Sequence, residues 1–304
     1  MDDARRNGGV DRGERLKVEL DGVPETLLWN LYNRAAEARR DGSRLLDDPR
    51  AVELVERIDY PFERFGGAPM AQWHALRVRC LDDEVRRFIA EHPGGMVVAL
   101  GEGLETQFWR VDDGRVRWLT VDLPETVAVR GALLPDEPPR RRTLACSALD
   151  PRWMDEVTAS GVPPQDVLVT AQGLLMYLPE QEVKGLIAAC AERFPGGGFL
   201  FDTLSRSMVA RNQAGAFDVP EGGYRAPRWQ WGMDVKEYRK VAAASPRIAG
   251  VRSLRLPRGR GLYAIAPVSH LLPGVRSLRM SIISVRFRAA DREAAAKGST
   301  TSGG

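Results

Sequence analysis

The chain has 304 residues, of which 43% are hydrophobic, and its 44 basic and 41 acidic side chains leave a formal charge of only +3 at pH 7. This composition indicates a globular protein with a sizeable core, and the small net charge argues against an extended nucleic-acid surface. No run approaches the ~18 apolar residues of a membrane span, and the N-terminus is charged and polar, so we expect neither a membrane segment nor a signal peptide.

The cysteines are odd in number and widely spaced, at Cys80, Cys146 and Cys190, and each lies in an apolar pattern. Such a set predicts reduced, buried thiols in a cytoplasmic protein. No cluster of His, Cys or carboxylate residues has the spacing of a metal site, so we predict no metal.

The N-terminal part of the chain has the pattern of helices. Residues 1–14 and 289–304 are polar or small without periodicity, and we expect both ends to be disordered. Between them, apolar residues recur at helical spacing in three segments, which predicts a helical cap over residues 15–92. The predicted helices cover 26–39, about 49–58 and 73–89.

From Met96 onward, short apolar runs alternate with helical or polar segments. This alternation predicts an α/β fold with a parallel sheet covered on both faces, here over residues 93–288. The predicted strands are 96–100, 118–121, 143–146, 167–171 and 198–202, and the helices between them are 104–111, 124–133, 151–159 and 180–193.

The irregular stretch at 203–232 is too long for a simple connection, and we predict a lid or substrate wall there. Its Tyr224, Trp229 and Trp231 could stack on a planar acceptor or anchor the segment to the core, and Tyr32 in the first helix is a further candidate contact. The elements expected after it are a helix at 234–244, a strand at 251–256, a helix at 263–272 and a last strand at 281–287.

The first strand runs into Gly101-Glu102-Gly103, and Asp122 stands at the end of the second strand. Glycine lets the backbone approach a ligand closely, and an acid at that strand end can accept both hydroxyls of a ribose. The pair predicts a cofactor that contains adenosine. Alternatively, the glycines form only a tight turn and Asp122 caps the helix that begins near Pro124.

The residue after the glycine turn favours one cofactor over another. A dinucleotide site needs a third small residue, so that the helix presents its N-terminus to pyrophosphate, but Leu104, Glu105 and Thr106 follow here. Glu105 would repel a diphosphate, whereas S-adenosylmethionine has no phosphate and carries an ammonium group. We therefore prefer S-adenosylmethionine to NAD.

Three ordered motifs resemble those of the leucine carboxyl methyltransferase-like family. They are Leu100-Gly101-Glu102-Gly103-Leu104-Glu105-Thr106, Val121-Asp122-Leu123-Pro124-Glu125 and Gln172-Gly173-Leu174-Leu175-Met176-Tyr177-Leu178. Within this family the chain most resembles the bacterial polyketide carboxyl methyltransferases of the tetracenomycin type, through segments that begin at Gly22, Asn33 and Leu46. The likeness runs from about residue 20 to 288.

The resemblance implies a class I methyltransferase fold, with a seven-stranded sheet whose last strand is antiparallel. It also implies that Arg77 pairs with the carboxylate of the cofactor, with Arg79 as a competitor for that role, and that Asp122 holds the ribose. The cofactor-binding residues it implies are Arg77, Gly101, Gly103, Asp122, Leu123, Ser147, Ala148, Gln172 and Gly173. This chain has Glu105 where the family usually has Asp, Ser147 at an often acidic position, and Gln172 in place of the Glu of the E-G-x-x-x-Y-L motif.

Methyl transfer from a sulfonium requires an aligned, dehydrated nucleophile and, in principle, no metal. A carboxylate is already ionised at pH 7, whereas a phenol would require a general base. The only histidines are His74, His92 and His270. His74, one turn from Arg77, and Tyr177 are the candidate catalytic residues, and this scarcity of bases fits a carboxylate acceptor.

The sequence therefore predicts an S-adenosylmethionine-dependent O-methyltransferase that methylates a small aromatic or polyketide-type acid in bacterial secondary metabolism, such as antibiotic biosynthesis. The alternatives are a peptide or protein carboxyl acceptor, a phenolic acceptor, a scaffold that binds the cofactor without turnover, and a nucleic-acid-binding protein that uses the arginines at 140–142 and 252–260. We expect no nucleic-acid or membrane partner. The sequence specifies neither the acceptor nor the oligomeric state.

Overall fold

The computed structural model of the protein describes residues 15–18, 20, 22–219, 224–271 and 280–290. Apart from residues 289 and 290, the ends that we expect to be disordered lie outside these ranges. No helix within the ranges is long and apolar enough to cross a membrane.

Strands and α-helices alternate through most of the described ranges. The strands are β1 (Leu16–Lys17), β2 (Ile58–Asp59), β3 (Met96–Leu100), β4 (Arg117–Asp122), β5 (Arg141–Ala145), β6 (Val167–Ala171), β7 (Gly198–Thr203), β8 (Ile248–Leu254) and β9 (Ser281–Phe287). The α-helices are α1 (Thr26–Ala38), α2 (Pro49–Arg57), α3 (Ala71–Glu91), α4 (Gln107–Val111), α5 (Pro124–Leu133), α6 (Arg152–Ala159), α7 (Glu180–Arg193) and α8 (Arg206–Gln213). Short 3₁₀ helices occur at Phe62–Phe65, Pro164–Asp166, Leu175–Tyr177, Val235–Ala244 and Gly261–Leu271.

The seven longer strands form one sheet in the order β5-β4-β3-β6-β7-β9-β8. Strands β3 to β7 run parallel, and β9 lies antiparallel between β7 and β8. The chain moves outward from β3 through β4 to β5 and then returns to place β6 beside β3. Open α/β sheets bind ligands at such a switch point. The predicted fold, including its antiparallel last strand, is confirmed.

Both faces of the sheet are covered by helices. On one face α3 and α4 pack through Leu81, Val85 and Phe108, and on the other α6 and α7 pack through Trp153 and Ile187. Helix α1 packs against α2 and α3. The three cysteines are buried thiols and none of them forms a disulfide, as predicted. Helix α1 also lies against the turn that follows β3, at the carboxyl ends of the parallel strands.

Two differences from the predicted elements have local causes. Strand β5 begins at Arg141, two residues earlier than predicted, because the buried Arg141 guanidinium lies 2.8 Å from the Glu102 carboxylate and its charge is neutralised there. The stretch 203–232 is not irregular throughout. Ser205 caps α8 within it, by accepting the Met208 N–H at 3.3 Å.

The C-terminal elements are present with altered form or bounds. The predicted helix at 234–244 is the 3₁₀ helix Val235–Ala244, and the one expected at 263–272 is the 3₁₀ helix Gly261–Leu271. The strand expected at 251–256 begins three residues earlier, as β8.

Candidate functional site

The turn after β3 requires glycine at two positions. Gly101 and Gly103 have φ angles of +60° and +55°, which side chains rarely tolerate. A Cβ on Gly101 would lie 2.9 Å from the Leu174 side chain, and one on Gly103 would lie 3.1 Å from Cβ of Leu27. The glycines therefore allow both the backbone conformation and the close approach of α1 to the turn.

A cavity of about 280 Å³ opens at the carboxyl ends of the parallel strands, beside this turn. All the cofactor-binding residues that the resemblance implies line it, and Arg79 is not among the lining residues. They are Arg77, Gly101, Gly103, Asp122, Leu123, Ser147, Ala148, Gln172 and Gly173. These residues come together because they follow strands β3, β4, β5 and β6 or, for Arg77, lie on α3.

Asp122 ends β4 with its carboxylate against the glycine turn. One carboxylate oxygen accepts the Gly103 N–H at 2.7 Å, and the other accepts the Leu123 N–H at 2.8 Å. Burial raises the pKa of Asp122, although both backbone donors oppose the shift. Each oxygen keeps a further lone pair that can accept a hydrogen bond from a hydroxyl, so the geometry suits the binding of a ribose.

Arg77 is held in the cavity wall by Asp202, a residue that the sequence pattern did not indicate. Its guanidinium donates to Oδ2 of Asp202 at 2.7 Å, and Oδ1 of Asp202 accepts the Gly173 N–H at 2.7 Å. The neighbouring acids Asp82 and Asp83 pair with other arginines instead. The only sequence signal for Asp202 was an acid near the end of an apolar strand.

Glu105 does not face the cavity with a free charge. Its carboxylate accepts from Arg34 at 2.6 Å and from Arg110 at 2.8 Å. Burial alone would raise its pKa, but the two guanidinium groups prevail and hold the pKa of Glu105 at about 2. Its role is thus structural, and the expected effect of Glu105 on a ligand's charge does not follow from this geometry.

The same ion cluster joins motifs that lie far apart in the sequence. Asp48, which caps α2, lies 3.3 Å from Arg34 and 2.9 Å from Arg110, and it accepts from the Thr106 hydroxyl at 2.7 Å. The cluster fastens α1 and α2 to the segment after the glycine turn. Helix α1 therefore forms part of the cavity wall, and α2 supports it from behind through this cluster.

A second cavity, of about 270 Å³, adjoins the first. Both are lined by Thr26, Asn30, Arg77, Gly173 and Tyr177. The remaining wall of the second cavity is largely aromatic or apolar, and its rings come from Trp29, Phe65, Trp73, His74, Phe217, Tyr224 and Trp229.

The predicted substrate-contacting residues separate into two groups. Tyr224 and Trp229 line the second cavity, as a substrate wall requires. Tyr32 and Trp231 line neither cavity. Tyr32 stacks on Phe62 with ring centroids 5.3 Å apart, and the buried Trp231 packs against Phe201 in the core. The structure thus brings Tyr224 and Trp229 to the second cavity and packs the rings of Tyr32 and Trp231 against other aromatic side chains.

The two candidate catalytic residues both line the second cavity. His74 is 3% exposed, and its ring nitrogens have no hydrogen-bond partner among residues in the described ranges. Burial, reinforced by the charges of Arg77 and Arg34, lowers the pKa of His74 well below its usual 6.5, so the imidazole is neutral. Burial raises the pKa of the Tyr177 phenol.

His92, by contrast, lies outside both cavities, and its Nδ1 lies 2.7 Å from an Asp166 oxygen. Two arginines of the 203–232 stretch form ion pairs outside both cavities. Arg206 pairs with Glu237, and Arg228 pairs with Asp218.

Known proteins with similar sequences are methyltransferases. The family model described as leucine carboxyl methyltransferase matches residues 28–191. The tetracenomycin polyketide synthesis O-methyltransferase TcmP of Streptomyces glaucescens is 34% identical over 189 residues, which cover 62% of this chain and 68% of that protein. A Streptomyces coelicolor protein assigned as an S-adenosylmethionine-dependent methyltransferase is 27% identical over 77% of this chain and 92% of its own length.

The fold is also similar to that of a solved structure. A crystal structure from Thermobifida fusca, also assigned as a methyltransferase, superposes with a TM-score of 0.51 over 74% of this chain and 92% of its own, at 18% identity. The cofactor is S-adenosylmethionine, and the protein is a methyltransferase. The chain belongs to the leucine carboxyl methyltransferase family.

Proposed function

We propose that the protein is a carboxyl O-methyltransferase for a small, planar aromatic acid of the polyketide type, in bacterial secondary metabolism. The observation that carries the proposal is the aromatic cavity that adjoins the cofactor cavity and shares Arg77 with it. In this proposal the first cavity holds S-adenosylmethionine and the second holds the acceptor.

The distribution of polar groups in the second cavity supports an acceptor that is polar at one end. The shared residues Thr26, Asn30, Arg77 and Tyr177 lie where the cavities meet, and rings such as Trp229 line the rest. A flat apolar body would fit between the rings while its carboxylate points to the junction. This orientation brings the nucleophile toward the methyl group.

The charges at the junction support a carboxylate nucleophile. Arg77, which shares its charge with Asp202, supplies guanidinium donors, and a carboxylate is ionised at pH 7 without help from a base. The site's part in catalysis is then to align the acceptor oxygen with the sulfonium and to exclude water, which is sufficient for an in-line displacement. The name of the relative TcmP, which refers to polyketide O-methylation, agrees with this class of acceptor.

In the cofactor cavity we assign Asp122 to the ribose and Gln172 and Gly173 to the methionine end. Ser147 and Ala148 contact the adenine, and the glycine turn lies along the methionine portion. We further propose that residues 15–92 act as a cap over the methyltransferase domain at 93–288, and that 203–232 supplies the outer wall of the acceptor cavity.

A phenolic acceptor is the second candidate, because of one observation. His74 is neutral, buried in the acceptor cavity and unpartnered in the described ranges, so a ring nitrogen is available to take the proton of a phenol, although the lowered pKa makes it a weak base. A carboxylate would instead receive a hydrogen bond from this imidazole.

The test is a screen of planar aromatic acids and phenols with methyl-labelled S-adenosylmethionine and the purified protein. We expect label to be transferred to at least one acid and to be released by mild base, as an ester requires. Label that resists base would favour the phenolic reading. Cofactor binding without transfer to any acid or phenol would contradict both.

A further inference from the structure

Three side chains connect α3 to the cofactor cavity through hydrogen bonds. The Gln107 amide nitrogen donates to Asp82 Oδ1 at 2.9 Å, and the Gln172 amide nitrogen donates to Gln107 Oε1 at 2.6 Å. Asp82 and Gln107 are 2% and 1% exposed. Gln172, at the end of this relay, lines the cavity.

The carboxylate at the inner end fixes the direction of the relay. Asp82 is ion-paired with Arg110, which donates to Oδ2 at 2.8 Å, so Asp82 offers only acceptors. Gln107 must therefore turn its NH₂ group toward Asp82 and its oxygen toward Gln172. Gln172 must in turn give its NH₂ group to Gln107.

The remaining polar atom of the relay is Oε1 of Gln172. It is buried and has no hydrogen-bond partner in the part of the chain that the structure describes. A buried acceptor without a donor is costly, so this atom calls for a donor or a positive charge from a ligand. At the methionine end, S-adenosylmethionine offers both, in its ammonium and its sulfonium.

We propose that Asp82, acting through Gln107, orients the Gln172 amide so that its oxygen contacts the cationic methionine end of S-adenosylmethionine. Asp82 and Gln107 are then positioning residues, and Gln172 is the contact. This inference rests on the assignment of the first cavity to the cofactor. It explains how glutamine serves at a position where the family motif has glutamate: the negative charge stands at Asp82 instead.

A charge exchange tests the relay. In Gln172→Glu alone, an acceptor meets the Gln107 oxygen, which cannot turn away without facing Asp82. In Asp82→Asn alone, the asparagine can donate to Gln107 and so reverse the relay, which turns the Gln172 NH₂ group toward the cation. The double variant Asp82→Asn with Gln172→Glu keeps the net charge and permits a fully reversed relay that ends in a carboxylate.

We expect each single variant to bind S-adenosylmethionine about tenfold more weakly than the wild type, the cost of one misdirected hydrogen bond. The double variant should bind at least about tenfold more tightly than either single, which is the signature of direct coupling. Gln107→Met, which interrupts the relay but leaves Asp82 with Arg110, should match the single variants. Asp41→Asn with Gln181→Glu makes the same charge exchange at exposed positions and serves as the control.

Calorimetry with three ligands identifies the contact. 5′-Methylthioadenosine lacks the amino acid portion, and its affinity should stay within about twofold in every variant, whereas general misfolding would weaken it equally. A loss for both S-adenosylmethionine and S-adenosylhomocysteine assigns the contact to the ammonium, and a loss for S-adenosylmethionine alone assigns it to the sulfonium.

Two results would overturn the relay: a double variant no tighter than the singles, or equal losses for 5′-methylthioadenosine. Asp122→Ala separates this failure from an error in the cavity assignment. If Asp122→Ala weakens the binding of all three ligands and the charge exchange shows no coupling, only the proposed relay is wrong. If Asp122→Ala leaves every affinity unchanged, the cavity assignment itself is wrong.

Discussion

The Arg77 guanidinium and the Asp202 carboxylate form a buried ion pair, 2.7 Å apart, at the wall between two cavities. The second oxygen of Asp202 accepts the Gly173 N–H, so one side chain fixes both the cation and the loop after β6. A Cβ on Gly173 would lie 3.2 Å from the Arg77 guanidinium. Because residue 173 has no side chain, the Arg77 guanidinium can reach both cavities. The charge of Arg77 can therefore serve the cofactor or the acceptor.

The role of Arg77 can be tested by Arg77→Lys. Lysine keeps the charge but loses the planar fork that can hold a carboxylate, so the affinity for S-adenosylhomocysteine should fall by about 2 kcal/mol. 5′-Methylthioadenosine, which has no carboxylate, should bind as before in calorimetry. The control is Arg79→Lys on the same helix, outside the cavity lining. Equal losses for both ligands would mean that Arg77 supports the fold and does not bind the cofactor carboxylate.

Asp122→Ala should weaken the binding of S-adenosylhomocysteine by about 1 to 3 kcal/mol, because the ribose hydroxyls lose their acceptor. Asp122→Asn keeps one oxygen and should retain part of the affinity. Both variants should be compared by calorimetry after confirming by circular dichroism that they are folded. An alanine variant with wild-type affinity would remove Asp122 from the site.

Trp229 and Trp231 form a matched pair, since they are two residues apart and only Trp229 lines the acceptor cavity. Trp229→Ala should raise the KM for the acid acceptor by about tenfold or more, with little change in the KM for the cofactor. Trp231→Ala should cost about 3 to 5 kcal/mol of folding free energy, because it removes a buried ring. Steady-state kinetics and urea unfolding separate the two outcomes. A higher acceptor KM from Trp231→Ala alone would reverse this assignment.

The ion cluster around Glu105 predicts a dependence of stability on pH. The pKa of Glu105 in the folded protein is about 2, below its usual 4.5, so its contribution is full above pH 4.5 and is lost as the pH falls toward 2. Glu105→Gln should destabilise the fold by about 3 to 5 kcal/mol at pH 7, since Arg34 and Arg110 lose a charged partner. In urea titrations the difference from wild type should narrow at pH 3, while the exposed control Glu63→Gln stays near wild type. A difference independent of pH would contradict the ionised cluster.

His74 predicts a different behaviour with pH. Its pKa in the folded protein lies below the usual 6.5, so the unfolded chain takes up the proton first and stability falls as the pH drops below 6.5. His74→Gln should remove this contribution. With an acid acceptor, the variant should keep kcat within about tenfold, whereas loss of a general base costs roughly 10² to 10⁴. A loss of that size, together with loss of the acid limb of the pH–rate profile, would identify His74 as a base.

The parts of the fold and of the site that depend on local backbone structure could be predicted from the sequence. The apolar strand at 96–100, the glycine turn and Asp122 are local features, and their spacing predicts both the fold and the place where the ligand binds. The predicted cofactor residues of the three motifs line a single cavity, because the carboxyl ends of neighbouring parallel strands meet at one edge of the sheet.

Pairings between distant side chains could not be predicted in the same way. Whether Glu105 faces a ligand or two arginines depends on where α1 packs, and no local pattern gives that position. Asp202 and Arg77 lie 125 positions apart in the sequence. Trp229 and Trp231 belong to an irregular segment without periodicity, so the sequence did not tell the cavity wall from the core.

A planar aromatic hydroxy acid, with a carboxyl and a phenol on one scaffold, tests the central claim most directly. The measurement is mass spectrometry and base treatment of the product formed with trideuteromethyl-labelled S-adenosylmethionine, using an acid that the screen has identified as a substrate. We predict a methyl ester, formed on the carboxylate and cleaved by mild base. A base-stable methyl ether on the phenol would contradict the proposed carboxyl specificity.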